Sequence, residues 1–168
     1  MKNLFVIMIA LVISVSAFSQ KNDVVDIAIS SADHTTLVAA VKAADLVATL
    51  KGTGPFTVFA PTNAAFAKLP AGTVESLLKP ENKAQLAKIL TYHVISGNFD
   101  AAAVVAAIKN GKGKVELTTV SGGILIASMD NGKVKLTDES GNSAFVTATD
   151  LKGSNGVIHV IDGVVLPI

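Results

Sequence analysis

Asn131-Gly132 stands between two runs that alternate apolar and polar residues, Ile124–Met129 and Lys133–Thr137, and it restricts the fold more than any other feature of the chain. A two-residue hairpin loop of this kind is a type I′ turn. It needs φ > 0 at both positions, which Asn-Gly supplies at little steric cost. Val134 and Leu136 then face one side of the ribbon, and Lys133, Lys135 and Thr137 the other. One hairpin is marginal in water, so it must recruit neighbours. Val115–Thr119 alternates in the same way, Gly141-Asn142 offers the next reversal, and Ala144–Thr149 and Val157–Ile161 give further strands before Gly163–Pro167 closes the chain. The second half is predicted to be a β meander.

The first half has a different period. Asp23–Ser30 reads as a short helix. From Thr35 to Leu50, apolar side chains at Leu37, Val41, Ala44, Val47 and Leu50 follow three- and four-residue steps, so one helix with one buried stripe is expected. Gly52, Gly54 and Pro55 end it. Phe56–Ala60 is a short strand bounded by prolines, with pairing expected to stop at Pro61, which has no N–H to donate. Thr62 or Asn63 can cap a helical turn through Phe66, whose ring should fall back on Phe59 or its neighbours. Further helices are expected at Thr73–Leu78, at Lys83–Tyr92 with Leu86, Ile89 and Leu90 inward, and at Ala101–Lys109, which Asp100 caps and Asn110-Gly111 ends. Helices come first, sheet second, and one early strand must return to the sheet. That is α+β.

No linker, repeat or low-complexity tract divides residues 21–168, so a single domain over 20–168 is expected. The segment before it reads as a signal peptide, residues 1–19. Lys2 is its one charge, Leu4–Ile13 is unbroken and apolar, and Ala17 and Ser19 sit at the −3 and −1 spacing of a cleavage site. Such a run is too short to cross roughly 30 Å of hydrocarbon at about 1.5 Å per residue. The cleaved chain is therefore expected to be secreted or periplasmic and not membrane-spanning.

Several chemistries are excluded or weakened by residue type. The sequence has no cysteine, which removes disulfides, thiolate nucleophiles and Cys-based metal sites. All 14 basic residues are lysine, so the bidentate fork that clamps phosphates and reads guanine is absent. With a formal net charge of +1, nucleic acid is not an expected partner. His34, His93 and His159 lie at no metal-ligand spacing, and no nucleophile elbow or phosphate loop occurs, so neither a catalytic residue, a metal nor a cofactor is expected. Asp130, Asp138 and Glu139 near hairpin ends read as solvated turn acids rather than a Ca²⁺ loop.

Three ordered segments carry more specific information. In Phe56–Phe66, the sequence Phe59-Ala60-Pro61-Thr62-Asn63 is a strand–cap–helix corner that organises a core better than it binds a ligand. In Ile89–Val94, Tyr92-His93 closes an apolar helix. There a buried neutral imidazole would donate at one nitrogen and accept at the other, tying that helix to the Pro61–Asn63 loop. In Ser154–Asp162, the Asn155-Gly156 turn feeds a strand on which Val157, His159 and Ile161 share one face and Ile158 and Val160 the other. His159 reads as a packed histidine rather than a metal ligand.

These segments, with the closing Val165-Leu166-Pro167, resemble the signatures of the fasciclin-like (FAS1, beta-Ig-H3/fasciclin) domain, and the resemblance covers roughly residues 22–167. It implies a wedge-shaped β-sandwich with helices packed on one side. It makes Thr57, Phe59, Pro61, Thr62, Asn63, Phe66, Asn155, Gly156, His159 and Asp162 its structural motif residues. It implies a non-enzymatic adhesion or matrix-interaction module, a monomer or weak oligomer, that binds cell-surface or extracellular protein or glycan partners through loops and sheet edges. The candidate interaction residues it supplies are Tyr92 and His93, together with Asp150 and Leu151. The last pair matches an Asp-Ile associated with integrin recognition in animal relatives, here with the acid kept and the isoleucine replaced. The alternative is a lipid- or pigment-binding protein that uses apolar space between sheet and helices.

Overall fold

The computed structural model describes residues 22–168, and the segment read as a signal peptide lies outside them. The chain enters through α1 (Val24–Ser30), where Asp23 and Asp26 satisfy each other's backbone N–H groups in a capping box. The stretch expected to be one helix is two, α2 (Thr35–Ala43) and α3 (Val47–Leu50). Asp45 sits at φ 60 between them, with its N–H on the Lys42 carbonyl and the Leu46 N–H on Val41. This is a Schellman termination with aspartate where glycine is usual, so the sequence carried no stop signal there. The apolar stripe survives the break because Leu37, Val41, Ala44 and Leu50 are all buried.

β1 (Phe56–Pro61), α4 (Asn63–Ala67), α5 (Thr73–Leu77), α6 (Lys83–Tyr92), β2 (Val94–Ser96) and α7 (Ala101–Asn110) follow. The meander is β3 (Lys114–Thr118), β4 (Ile124–Asp130), β5 (Lys133–Thr137), β6 (Ser143–Gly153) and β7 (Gly156–Ile161). Asn131 and Gly132 at the β4–β5 turn have φ 50 and 80, the type I′ signs. The strand order is β2-β1-β7-β6-β5-β4-β3. β1 is the returning strand, antiparallel to β2 and parallel to β7 from Phe56 opposite Gly156 to Pro61 opposite Ile161. Pairing therefore runs through Pro61, and the Thr62 N–H still donates to the Ile161 carbonyl at 3.3 Å. The expected stop fails because alternate residues donate to opposite neighbours. Pro61 shares the side of Phe59, whose N–H reaches the His93 carbonyl at the start of β2, so its missing donor falls beyond that strand.

β6 serves both halves of the sheet. Ser143–Phe145 pair with β5, and from Val146 the strand pairs with β7 across two register shifts. This folds the sheet onto itself. The outermost strands meet: Ile95 of β2 bridges Thr119, and the Val120 N–H donates to the Val94 carbonyl at 2.8 Å. The edges expected to be open for binding are thus joined to each other at this point, which relieves the liability of unpaired ladders.

Two cores result, one on each face of β1 and β7. Val58, Ala60 and Ile158 point outward into a layer with Val24, Leu37, Val41, Phe66, Leu86 and Leu90 from α1–α6. Phe59 and Ile161 point inward to Tyr92, Leu117, Leu125 and Leu136, with Val104 and Ile108 of α7 closing the interior. Helices α1–α6 occupy one side as expected, and α7 covers the sandwich separately. Phe66 falls on Phe59's neighbours Val58 and Ala60, since the Phe59 ring turns the other way.

Candidate functional site

The three signature segments converge. β1 of the first lies between β7 of the third and β2, which directly follows Tyr92-His93 of the second. Their polar side chains are spent on one another's backbones. The Thr62 hydroxyl caps α4 by accepting from the Ala65 N–H at 3.2 Å. Asn63 does a different job, gripping the entry to α2. Its Oδ1 accepts from the Thr36 N–H at 2.9 Å, and its Nδ2 donates to the Ala32 carbonyl at 3.0 Å. Thr57 is fully buried, donates to the Gly97 carbonyl at 2.7 Å and accepts from the Phe99 N–H at 2.9 Å. It fixes the loop after β2 against β1.

Tyr92 and His93 form no surface. Tyr92 is 0 % exposed and His93 2 %, so as interaction residues both are corrected to interior positions. The Tyr92 hydroxyl donates to the Ile124 carbonyl at 2.6 Å and accepts from the Glu139 N–H, and burial raises its pKa. His93 Nδ1 donates to the Ile89 carbonyl at 2.8 Å, leaving Nε2 to accept from the Val165 N–H at 3.3 Å. The ring therefore ties α6 to the chain terminus, not to the Pro61–Asn63 loop as the sequence suggested; the His93 backbone carbonyl makes the link to β1. Burial pushes its pKa down to about 4.

His159 is packed as expected. Its ring stacks on Phe59 with centroids 5.7 Å apart; Nε2 donates to the Phe99 carbonyl at 2.7 Å, and Nδ1 accepts from the Asp150 N–H at 3.4 Å. Asp150, at φ 60 beside a register shift, turns its carboxylate to the Ala101 N–H at 2.8 Å and so braces the start of α7. Leu151 beside it is 39 % exposed. The candidate pair is thereby divided into a brace and a surface residue.

Asn155 is buried and joins three segments. Its Oδ1 accepts from the Val24 N–H at 3.0 Å, and its Nδ2 donates to the carbonyls of Leu50 at 2.7 Å and Gly52 at 2.9 Å. Gly156 is required by space, since a Cβ there would collide with the Phe56 carbonyl of the parallel partner. Asp162 accepts from the Phe145 N–H at 2.8 Å, holding the two halves of the sheet where β6 changes partners.

One residue of this network was misread in the sequence. Asp138 is not a solvated turn acid but is buried, accepting from the N–H groups of Ser140, Asn142 and Leu166. Glu139 beside it is exposed, as expected of a turn acid, and accepts from the Ile124 N–H at 3.0 Å. The run Asp138–Asn142 does carry a local signal, an acid followed by Ser-Gly-Asn, typical of a side chain that bonds its own turn. Its bond to Leu166, 28 residues on, had none.

What remains open is modest. An apolar cavity of about 40 Å³ lies between α1, α2 and the outer face of β1, bounded by Val25, Leu37, Val41, Val58 and Ile158. An open polar cleft of about 370 Å³ lies between Thr53, Asn98, Lys152 and Ser154 at one end of the sheet. The His34 Nδ1 lies 2.7 Å from the Ser31 hydroxyl, while its buried Nε2 has no hydrogen-bond partner; burial lowers its pKa and the nearby Ala60 carbonyl opposes that. Among the described residues, no cluster of three or more His, Asp or Glu side chains is placed to hold a metal ion, and no single helix is long and apolar enough to cross a membrane.

Comparison with known proteins places this architecture in context. The Fasciclin domain model matches residues 32–167. Protein sll1483 of Synechocystis sp. is 51 % identical over 156 residues, covering 93 % of this chain and 79 % of that protein. The cell surface glycolipoprotein MPB83 of Mycobacterium bovis is 37 % identical over 123 residues, covering 73 % of this chain and 48 % of its own. In fold, a FAS1 domain pair from the insect cell adhesion molecule fasciclin I matches with a TM-score of 0.75 at 20 % identity, over 86 % of this chain and 51 % of that one.

Proposed function

The chain belongs to the fasciclin domain family, and on that premise we propose that it is an exported, non-enzymatic adhesion or matrix-interaction module. In this reading residues 1–19 are removed as a signal peptide, and 20–168 act as a single domain in the periplasm or outside the cell. The partner is a protein or glycan of the cell surface or its surroundings, met through loops and outward strand faces.

The observation that carries the reading is where the motif's polar groups go. Both ring nitrogens of His93 and of His159, the side chain of Asn155 and the carboxylates of Asp150 and Asp162 are engaged by backbone groups of the fold. A general base needs a free lone pair within reach of a substrate proton, and the two histidines have theirs committed to the Val165 and Asp150 N–H groups. Their work is to hold surfaces in place. Two relatives support the setting by name: MPB83 is a cell surface protein, and the fasciclin I pair comes from a cell adhesion molecule.

The test is attachment. A surface coated with the purified protein should retain cells or envelope fragments of the source organism above an albumin-coated control. It should also show no turnover against ester, glycoside and phosphate substrates. Turnover abolished by His93→Ala in a folded variant would replace this reading with a catalytic one.

A second reading, an apolar small-molecule binder, is favoured by the cavity under α1. Its volume of about 40 Å³ admits a few water-sized groups, so a lipid chain would enter only with α1 displaced. Native mass spectrometry of freshly isolated protein decides it, because a bound lipid or pigment adds mass and an empty domain does not.

A further inference from the structure

The outward face of the meander carries three lysines, Lys114, Lys133 and Lys135, at the end of the sheet where α7 also delivers charge. Lys114 on β3 and Lys135 on β5 flank Ser128 of β4 in one outward row, and Phe145 of β6 completes it. Lys133 lies in the next row, opposite Asp130, and Lys109 and Lys112 arrive at the same end of the sheet from the last turn of α7 and the bend after it. Of these five lysines only Lys135 has a carboxylate within ion-pair distance among the described residues, Asp130 at 3.8 Å. Two acids, Glu116 and Asp130, share the outward face, and the others of this half are committed elsewhere. Asp100, Asp138, Glu139, Asp150 and Asp162 of this half each turn a carboxylate oxygen to a backbone N–H. Five lysines against Glu116 and Asp130 leave this end of the sheet a locally cationic plate on a chain of formal net charge +1.

The geometry points to an acidic polysaccharide as the partner of this plate, docking along the Lys114–Ser128–Lys135–Phe145 row. The inference rests on the adhesion reading and names its partner class and surface. Lysines supply mobile point charges for carboxylates spaced along a flexible polymer, where arginine's fixed fork would suit phosphate. Ser128, and Thr137 and Ser143 one row on, offer hydroxyls to sugar hydroxyls. The half-buried Phe145 ring ends the row with an apolar face suited to the C–H face of a pyranose. An anionic bilayer is the poorer fit, because the row's one apolar side chain, Phe145, is half-buried in the sheet and has little to insert.

The experiment uses the exported protein and immobilised polygalacturonate, with neutral dextran, phosphatidylglycerol vesicles and double-stranded DNA as parallel probes. Binding to polygalacturonate but not dextran is expected, weakening as salt is raised. Lys114→Glu/Lys133→Glu should weaken it by about ten-fold or more at low salt. Lys79→Glu, an exposed charge change in the helical layer, should leave it unchanged, and circular dichroism confirms that each variant is folded. Equal binding by the double variant, or tighter binding to vesicles or DNA than to polygalacturonate, overturns the inference. If cells still adhere to the coated surface in either event, the adhesion reading stands without this partner. If neither cells nor polymer bind, both fall.

Discussion

His93 enters the interior as a neutral ring because the backbone around it offers one acceptor and one donor, the Ile89 carbonyl and the Val165 N–H, and no counter-ion. Protonation in the fold would leave the Val165 N–H facing a second donor, and burial holds the pKa near 4 against an ordinary value of 6.5. The unfolded chain takes up a proton between those values and the folded one does not. Stability from this residue is therefore complete above about pH 6.5, falls as pH drops toward 4, and changes no further below that. The loss is on the order of 3 kcal/mol. Urea denaturation across this range should show a steeper decline for the wild type than for His93→Gln, and identical slopes would exclude His93 as the source. At Asn155 the argument is one of unsatisfied groups. Asn155→Ala strands the Val24 N–H and the carbonyls of Leu50 and Gly52, so a loss of about 3 kcal/mol is expected in the same assay. The turn-forming role of Asn155-Gly156 was legible from residue type. The partners were not, because Val24 and Leu50 stand more than 100 residues away and hydrogen-bonding capacity carries no address.

Elements were legible where the local signal agreed with what packing required. The β4–β5 hairpin followed from alternation and Asn131-Gly132, and α7 from its Asp100 cap. They were illegible where a non-glycine residue took a left-handed conformation without a local signal, as Asp45 does after α2; α7 ends at Asn110 with Gly111 as its cap, as expected, although the left-handed residue there is Lys112. Such residues are held there by surrounding contacts rather than by their own preference. Gly132 is the opposite case. A Cβ there meets nothing within 4 Å, so Gly132→Val costs backbone conformation alone, about 1–2 kcal/mol, with faster amide exchange along β4 and β5. Unchanged melting in that variant would contradict the turn. Asp150 separates a brace from a contact. Asp150→Asn keeps an acceptor for the Ala101 N–H and should remain near wild type, whereas Asp150→Ala loses that bond and adds a Cβ-only residue at φ 60, costing about 2 kcal/mol. Binding to coated cells by the folded Asp150→Ala variant, equal to wild type, would confine Asp150 to the brace.

At the scale of the molecule, the α+β class was legible because helical and two-residue periods occupy separate halves of the sequence, while the closure of the sheet was not. Joining β2 to β3 depends on how far β6 bends at its register shifts, a property of packing that no single strand announces. Closure also binds the two cores together. Val58 and Phe59 are neighbours in sequence on opposite faces of β1, one in the helical layer and one in the sandwich, and Ile158 and Ile161 divide in the same way on β7. Neither core can lose its contacts without removing the strands that line the other, so the chain should unfold as one cooperative unit. Its composition allows a direct check. With no tryptophan and a single tyrosine, intrinsic fluorescence reports Tyr92 alone, inside the sandwich, while far-ultraviolet circular dichroism is dominated by helices, most of which lie in the other layer. Leu86→Ala in the helical core and Leu136→Ala in the sandwich should each cost about 3 kcal/mol, and each should move both signals by the same amount in urea. Two separated midpoints, with Leu86→Ala shifting the dichroism and leaving Tyr92 in place, would mean that the shared strands do not couple the layers and that the helical face can open while the sandwich stays closed.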